Sequence, residues 1–176
     1  GQTIETYDQA TISGLAKVFT GWNFDGASPT DPSFMSKPMV HDASRFSAAS
    51  KSFLGTTIPG STDGVTALGL ALDTIANHPN VGPFIGRQLI QRLVTSNPSA
   101  AYVARVSQAF TAGRFTWTNG WTIGSGQRGD LRATIAAVLL DEEARDLTKL
   151  ADPTFGKVRE PVLRLSAWMR AFNERS

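Results

Sequence analysis

The 176-residue chain contains no cysteine and only two histidines. The absence of cysteine excludes disulfide bonds, thiolate zinc sites and cysteine nucleophiles within the chain. Charged residues make up 18% of the sequence, below the usual quarter, and the formal net charge is only +2. No strong electrostatic field therefore favours a nucleic-acid partner. No segment reaches the roughly 20 consecutive apolar residues that a membrane-spanning helix needs.

Hydrophobic residues make up 41% of the chain, enough for a real core, and they recur at helical spacing. The groups with this spacing are Ile12, Leu15, Ala16 and Phe19; Val65, Leu68, Leu72 and Ile75; Ile85, Leu89 and Leu93; Val103, Val106 and Phe110; Leu131, Ile135, Val138 and Leu139; and Val162, Leu165, Met169 and Phe172. The pattern predicts an all-α domain of about six packed helices with little sheet. We expect Leu89 and Leu93 to be almost fully buried on a central helix.

Two segments interrupt the helical pattern. Residues 23–60 are rich in Gly, Pro and Ser and show no sustained period, which predicts a long irregular excursion with two short strands near residues 39–40 and 52–54. Residues 114–127 contain several glycines and two tryptophans, which predicts a small loop or hairpin insertion. Loops as long as the first segment are often functional.

Five phrases of the sequence carry a resemblance to a known family. They are "LAKVFTGWNF", "KSFLGTTIP", "HPNVGPFIGRQLIQRLVTSNPS", "RGDLRATIAAVLLDEEAR" and "KVREPVLRL", in that order. Together they cover much of the chain and resemble the bacterial domain-of-unknown-function family 1800. The family has no established activity, so the resemblance implies no particular chemistry.

The resemblance also implies an organisation. It implies that residues 1–176 form a single helical domain, the C-terminal part of a larger protein. Members of the family often look exported, which implies a location in the periplasm, at the cell surface or outside the cell. The missing N-terminal part of the same protein is then an expected partner. We expect an unusually apolar surface around the first and last helices, where that part would lie.

His78 is one of the two histidines and stands at a turn between helical segments. One interpretation makes it a metal ligand or general base. The other makes it a structural residue of the turn formed by residues 77–80. No second ligand lies at metal spacing in this stretch, so the structural interpretation is preferred.

The pair formed by His41 and Asp42 is the better catalytic candidate, because it lies in the irregular excursion and site residues tend to sit on loops. A carboxylate next to an imidazole can raise its pKa or share a cation. The alternative is an exposed turn, since Asp-Ala-Ser is ordinary turn chemistry. No metal site is predicted, and the sequence does not indicate a cofactor.

Three tryptophans are candidate binding residues. Trp22 follows the end of the first helix and is either a stacking platform for a sugar ring or a packed aromatic. Trp117 and Trp121 lie in the 114–127 insertion and either pack onto the body of the domain or form a binding surface for a glycan or a protein. Packing of both rings is preferred, because burial recovers much apolar area.

Two functions from different classes follow. The leading hypothesis is a non-catalytic helical module of an exported or envelope-associated bacterial protein that works through protein or glycan contacts. The alternative is a hydrolase or metal-dependent enzyme that joins His41, Asp42 and His78 to residues of the missing N-terminal part. Convergence of both imidazoles and a carboxylate in one pocket would favour the enzyme.

Overall fold

A computed structural model describes residues 5–28, 30–157 and 160–173. This part of the chain contains seven α-helices: α1 Gln9–Ala16, α2 Gly64–Asn77, α3 Val81–Leu93, α4 Ala100–Ala112, α5 Leu131–Leu140, α6 Glu142–Arg145 and α7 Pro161–Ala171. It also contains three antiparallel strand pairs: β1 Trp22–Asn23 with β2 Val40–His41, β3 Lys51–Phe53 with β4 Thr56–Ile58, and β5 Phe115–Thr116 with β6 Thr122–Ile123. The fold is therefore mostly helical, as predicted, but not purely α-helical.

The chain divides into two compact units, Gly1–His78 and Pro79–Ser176, which are described separately. The prediction of a single helical domain over residues 1–176 stays a prediction. None of the described helices is long and apolar enough to cross a membrane.

The first unit is built around the hairpin of β3 and β4. Its fully or almost fully buried hydrophobic residues are Val18, Phe53, Ile58, Ala67 and Ala71. Strand β3 packs against α1, and α2 packs against β4. The excursion over residues 23–60 holds most of two strand pairs, and the two strands predicted near residues 39–40 and 52–54 overlap β2 and β3. Two residues of the core, Phe53 and Ile58, lie within this largely polar segment.

The second unit is a packed group of α3, α4 and α5. Its buried core comprises Ile90, Tyr102, Val106, Ala109, Ala137 and Val138. The expectation for α4 is confirmed at Val106 and Phe110, which are 0% and 7% exposed. The predicted insertion at 114–127 is a hairpin, formed by β5 and β6, that packs against α5.

The expectation that Leu89 and Leu93 of α3 are almost fully buried is wrong. Leu93 is 50% exposed and Leu89 is only partly buried, whereas the buried face consists of Gly82, Gly86 and Ile90. A Cβ atom added at Gly86 would lie 3.1 Å from Val106 Cγ1. Glycine therefore lets α3 approach α4 closely, with Ile90 as the one large side chain on its fully buried face.

Helices α2 and α5 also bury small residues and expose some of their large apolar ones. The buried residues of α2 are Gly64, Ala67 and Ala71, while Val65 is 61% exposed. The buried residues of α5 are Ala133, Thr134, Ala137 and Val138, while Leu131 is 57% exposed. Large apolar side chains are also exposed on α1 and α7; they include Ile12, Val162, Leu165 and Trp168. Since α2, α3 and α5 expose such residues too, the prediction of an unusually apolar surface at the first and last helices stays a prediction.

Two glycines test this packing rule within the first unit. A methyl group at Gly14 in α1 would overlap the Ser52 carbonyl oxygen, whereas one at Gly69 in α2 would meet no heavy atom within 4 Å. Gly14→Ala should therefore lower the free energy of unfolding by more than about 2 kcal/mol, because backbone has to move. Gly69→Ala should raise it by roughly 0.5–1 kcal/mol, because alanine costs less chain entropy in a helix.

Urea denaturation followed by circular dichroism measures both changes. Equal effects of the two substitutions would show that backbone contact at Gly14 does not limit the packing.

Candidate functional site

His41 lies in an aromatic cluster of the first unit. It is paired with Trp22 across β1 and β2. Its ring contacts Trp22 edge-on, with centroids 5.2 Å apart, and Phe46 in the same manner at 5.0 Å. The imidazole also lies directly against Gly64, the first residue of α2, where any side chain would overlap it. The ring is thus held by aromatic packing and backbone on several sides.

Two polar ring atoms of this cluster are buried without a hydrogen-bond partner among the described residues. They are His41 Nε2 and Trp22 Nε1. A buried polar group without a partner costs on the order of 1–3 kcal/mol. Trp22 is half-buried against His41, which is the arrangement expected of a packed aromatic. A binding role for Trp22 stays a prediction.

A buried lysine, Lys51, contacts the Phe46 ring of this cluster. Lys51 is fully buried, and its ammonium donates to the carbonyls of Ser47 at 2.8 Å and Ala49 at 3.0 Å. It also lies 4.2 Å from the centre of the Phe46 ring. Burial lowers the pKa of Lys51, and the nearby Lys17 lowers it further. Lys51 thereby fixes the loop that carries Phe46 beside His41; sequence reasoning missed it, because a lysine in a polar loop gives no sign of burial.

Asp42 caps a short turn that follows it in the chain. Its Oδ1 accepts hydrogen bonds from the Ser44 hydroxyl at 2.6 Å and the Ser44 backbone N–H at 2.9 Å, and these bonds lower the pKa of Asp42. Its Oδ2 lies 3.3 Å from Arg45 Nε. Asp42 therefore caps the short 3₁₀ turn Ala43–Arg45. This is the turn chemistry that was the alternative interpretation of the sequence.

His78 lies far from His41. It is the C-cap of α2, and its backbone N–H donates to the Ile75 carbonyl at 3.1 Å. His41 contacts the first residue of the same helix, whose 14 residues span about 20 Å. The structure therefore does not bring the two imidazoles together. Within the described ranges, no group of three or more His, Asp or Glu side chains is arranged to hold a metal ion.

The two tryptophans of the hairpin have different surroundings. The Trp117 N–H donates to the Trp121 carbonyl at 2.8 Å, and Gly120 closes the turn with φ +84°. Trp117 is half-buried with the Arg145 guanidinium 5.4 Å from its ring centre. Trp121 is 57% exposed. The preference for packing of both rings is therefore wrong for Trp121, and its binding role stays a prediction.

Asp130 fixes the base of the hairpin to α5. Its carboxylate accepts from the Ala133 N–H at 3.0 Å and from the Ser125 N–H at 2.7 Å. These hydrogen bonds lower the pKa of Asp130 to about 2, with the Ala133 bond the largest cause. The exposed Trp121 thus projects from an anchored hairpin.

An ion pair that the sequence did not reveal holds α4 to the junction of α5 and α6. Arg105 donates from Nε and Nη2 to the two oxygens of Asp141, at 2.8 and 2.7 Å, and Asp141 is 5% exposed. The bond to Asp141 raises the pKa of Arg105. The nearby Tyr102 hydroxyl donates to the Val138 carbonyl, and burial raises the pKa of Tyr102. The acidic run "DEEAR" was the only signal, and it does not identify which carboxylate is buried.

Helix α7 has no buried residue. We call Val162, Leu165, Met169 and Phe172 the α7 stripe; three of them are 68%, 57% and 66% exposed, in the order Val162, Leu165 and Phe172. Leu163 and Arg170 line a cleft that also includes residues of α3. At 100° per residue, these two residues lie about 130° round the helix from the stripe. The apolar side of α7 therefore faces away from the cleft.

Comparison with known proteins identifies a family. Residues 1–176 match the family described as "Protein of unknown function (DUF1800)". No curated protein matches the sequence. No solved structure matches the fold.

The Arg105 cluster offers a matched pair of substitutions. Asp141→Asn should lower the free energy of unfolding by about 2–4 kcal/mol, because it leaves the bidentate partner of Arg105 uncharged in a buried position. Glu142→Gln should change it by less than about 0.5 kcal/mol, because Glu142 is 80% exposed although it lies 3.2 Å from the same guanidinium. Urea denaturation of both variants measures the difference, and similar losses would show that burial of Asp141 does not strengthen the pair.

Proposed function

Because the chain belongs to the DUF1800 family, whose function is unknown, we propose a function from its geometry. It is a non-catalytic helical module that binds another protein segment through the α7 stripe. The observation that carries the proposal is that α7 exposes its apolar side and buries none of its residues.

The stability of α7 supports a partner. An isolated helix of 11 residues is marginal in water, and most helical stability in proteins comes from packing of an apolar face. Burial of a large apolar side chain contributes about 1.5–3 kcal/mol. A partner that covers Leu165 and Phe172 alone would therefore add several kcal/mol and hold the helix in place.

The spacing of the stripe supports a helical partner. Its four residues follow one another at i, i+3, i+7 and i+10, the pattern of a seam between two helices. Trp168 extends the same apolar side and lies 5.2 Å from Phe172, ring centre to ring centre. The partner helix belongs either to another part of the same polypeptide or to a separate protein, and the experiment below separates the two.

The geometry weighs against the enzyme built from the three sequence candidates. His41 and His78 contact opposite ends of α2, and Asp42 caps a turn. A hydrolase or metal-dependent enzyme centred on these residues would need them in one pocket.

We also propose that the protein is located in the periplasm, at the cell surface or outside the cell. This part of the proposal rests on the resemblance to a family of bacterial proteins that often look exported. Fractionation of cells that make the protein tests it.

Site-specific photo-crosslinking tests the stripe in the cell that makes the protein. Benzoylphenylalanine at Leu165 should give one discrete adduct, and the same group at Arg164, exposed on another side of α7, should give none. Peptide mapping of the adduct shows whether the partner is the same polypeptide or a separate protein. Leu165→Ser should change the free energy of unfolding of the chain by less than about 0.5 kcal/mol, because Leu165 is 57% exposed. The absence of any adduct at Leu165, or equal adducts at both positions, would exclude the stripe as a binding surface.

A second candidate function rests on Trp121. An exposed indole on an anchored hairpin is a suitable platform for a sugar ring, and its 57% exposure is the observation in favour of glycan binding.

Tryptophan fluorescence tests the glycan platform. Trp121→Phe should remove a large part of the emission that acrylamide quenches, whereas Trp117→Phe should remove less, because Trp117 is half-buried. Titration of cell-wall polysaccharides should then change the emission of the wild type but not of Trp121→Phe. A flat response of the wild type to every polysaccharide would leave the protein partner as the remaining function.

A further inference from the structure

A polar cleft lies between α3 and α7 in the second unit. Its volume is about 620 Å³, within the usual size of a small-molecule site. Seven of its eight lining residues are polar or charged, among them Gln88, Arg92, Ser96, Lys157, Glu160 and Arg170. Leu163 is the single aliphatic side chain that the lining includes. The cleft is therefore unsuited to an apolar ligand.

The charge of the lining is mostly positive. Three basic side chains, Arg92, Lys157 and Arg170, face a single carboxylate, that of Glu160. The Lys157 ammonium donates to the Arg92 carbonyl in the last turn of α3, so it already caps the carbonyl end of that helix. Two guanidiniums then supply the remaining positive charge, one from each wall of the cleft.

Neither Arg92 nor Arg170 takes part in a salt bridge within the described residues. A guanidinium presents donors in a planar fork that matches a carboxylate or a phosphate with two parallel hydrogen bonds. The Gln88 carboxamide and the Ser96 hydroxyl add neutral hydrogen-bonding groups beside them.

From these features we infer that the α3–α7 cleft binds a small polar organic anion, whose carboxylate or phosphate groups are held by Arg92 and Arg170. This site is separate from the α7 stripe, which lies about 130° round the helix. The inference therefore does not rest on the proposed protein partner.

Isothermal titration calorimetry at low ionic strength tests the inference, with citrate and inorganic phosphate as probes and uncharged glycerol as the control. Each arginine has a matched control that keeps the same charge change on the same helix: Arg87 for Arg92 on α3, and Arg164 for Arg170 on α7. Both control residues are exposed and lie outside the lining of the cleft. The urea midpoint of each variant shows whether it is folded.

We expect saturable binding of citrate or phosphate and none of glycerol. Arg92→Gln and Arg170→Gln should each weaken binding at least about fivefold, whereas Arg87→Gln and Arg164→Gln should change it less than about twofold. The stronger probe identifies the anionic group of the ligand as carboxylate or phosphate. The inference is overturned if no probe binds saturably, or if all four substitutions weaken binding equally, since that result reports net charge alone. If one cleft variant fails to fold, the other still decides the outcome.

Discussion

The close approach of helix backbones through small residues is the constraint on which the packing depends. Gly86 brings α3 against Val106 of α4, and Gly14 brings α1 against the backbone of Ser52. Such contacts gain dispersion energy over long stretches of backbone, but they leave no room for large side chains at the interface. Several large apolar residues of the helices, such as Leu93, Val65 and Leu131, lie on other faces, and this explains the extent of exposed apolar surface.

This constraint also explains what the sequence predicted and what it did not. The spacing of large apolar residues located six of the helices, all but the short α6, and the composition located the excursion and the hairpin. It assigned burial wrongly at Val65 of α2, Leu93 of α3 and Leu131 of α5, because glycine and alanine carry little weight in a hydrophobic pattern although they form the contacts. It was right at Val138 of α5, which is fully buried. For α4, where Val106 and Phe110 are large and buried, the same reasoning was correct. Periodicity therefore indicates a helix more reliably than it indicates the buried side.

The candidate site was predictable only as a set of residue types. The sequence drew attention to His41 and Trp22, but their contact depends on the pairing of β1 with β2 across an irregular segment. The buried Lys51 and the Arg105–Asp141 pair depend on contacts that no local pattern specifies. Adjacency in the sequence was also a poor guide to a shared role. Asp42 follows His41 directly, yet its carboxylate caps the next turn while His41 packs in the aromatic cluster.

The order of packing in the second unit has a consequence for how the chain folds. Helices α3, α4 and α5 follow one another in sequence and contact one another in space. Contacts between neighbouring elements close short loops, so they form with a small entropic cost and favour rapid folding. In the first unit, α1 packs against β3 only after the intervening excursion has folded back. The three-helix core is thus the part best suited to form early, whereas the contact of His41 with Trp22 joins segments that are farther apart in the chain.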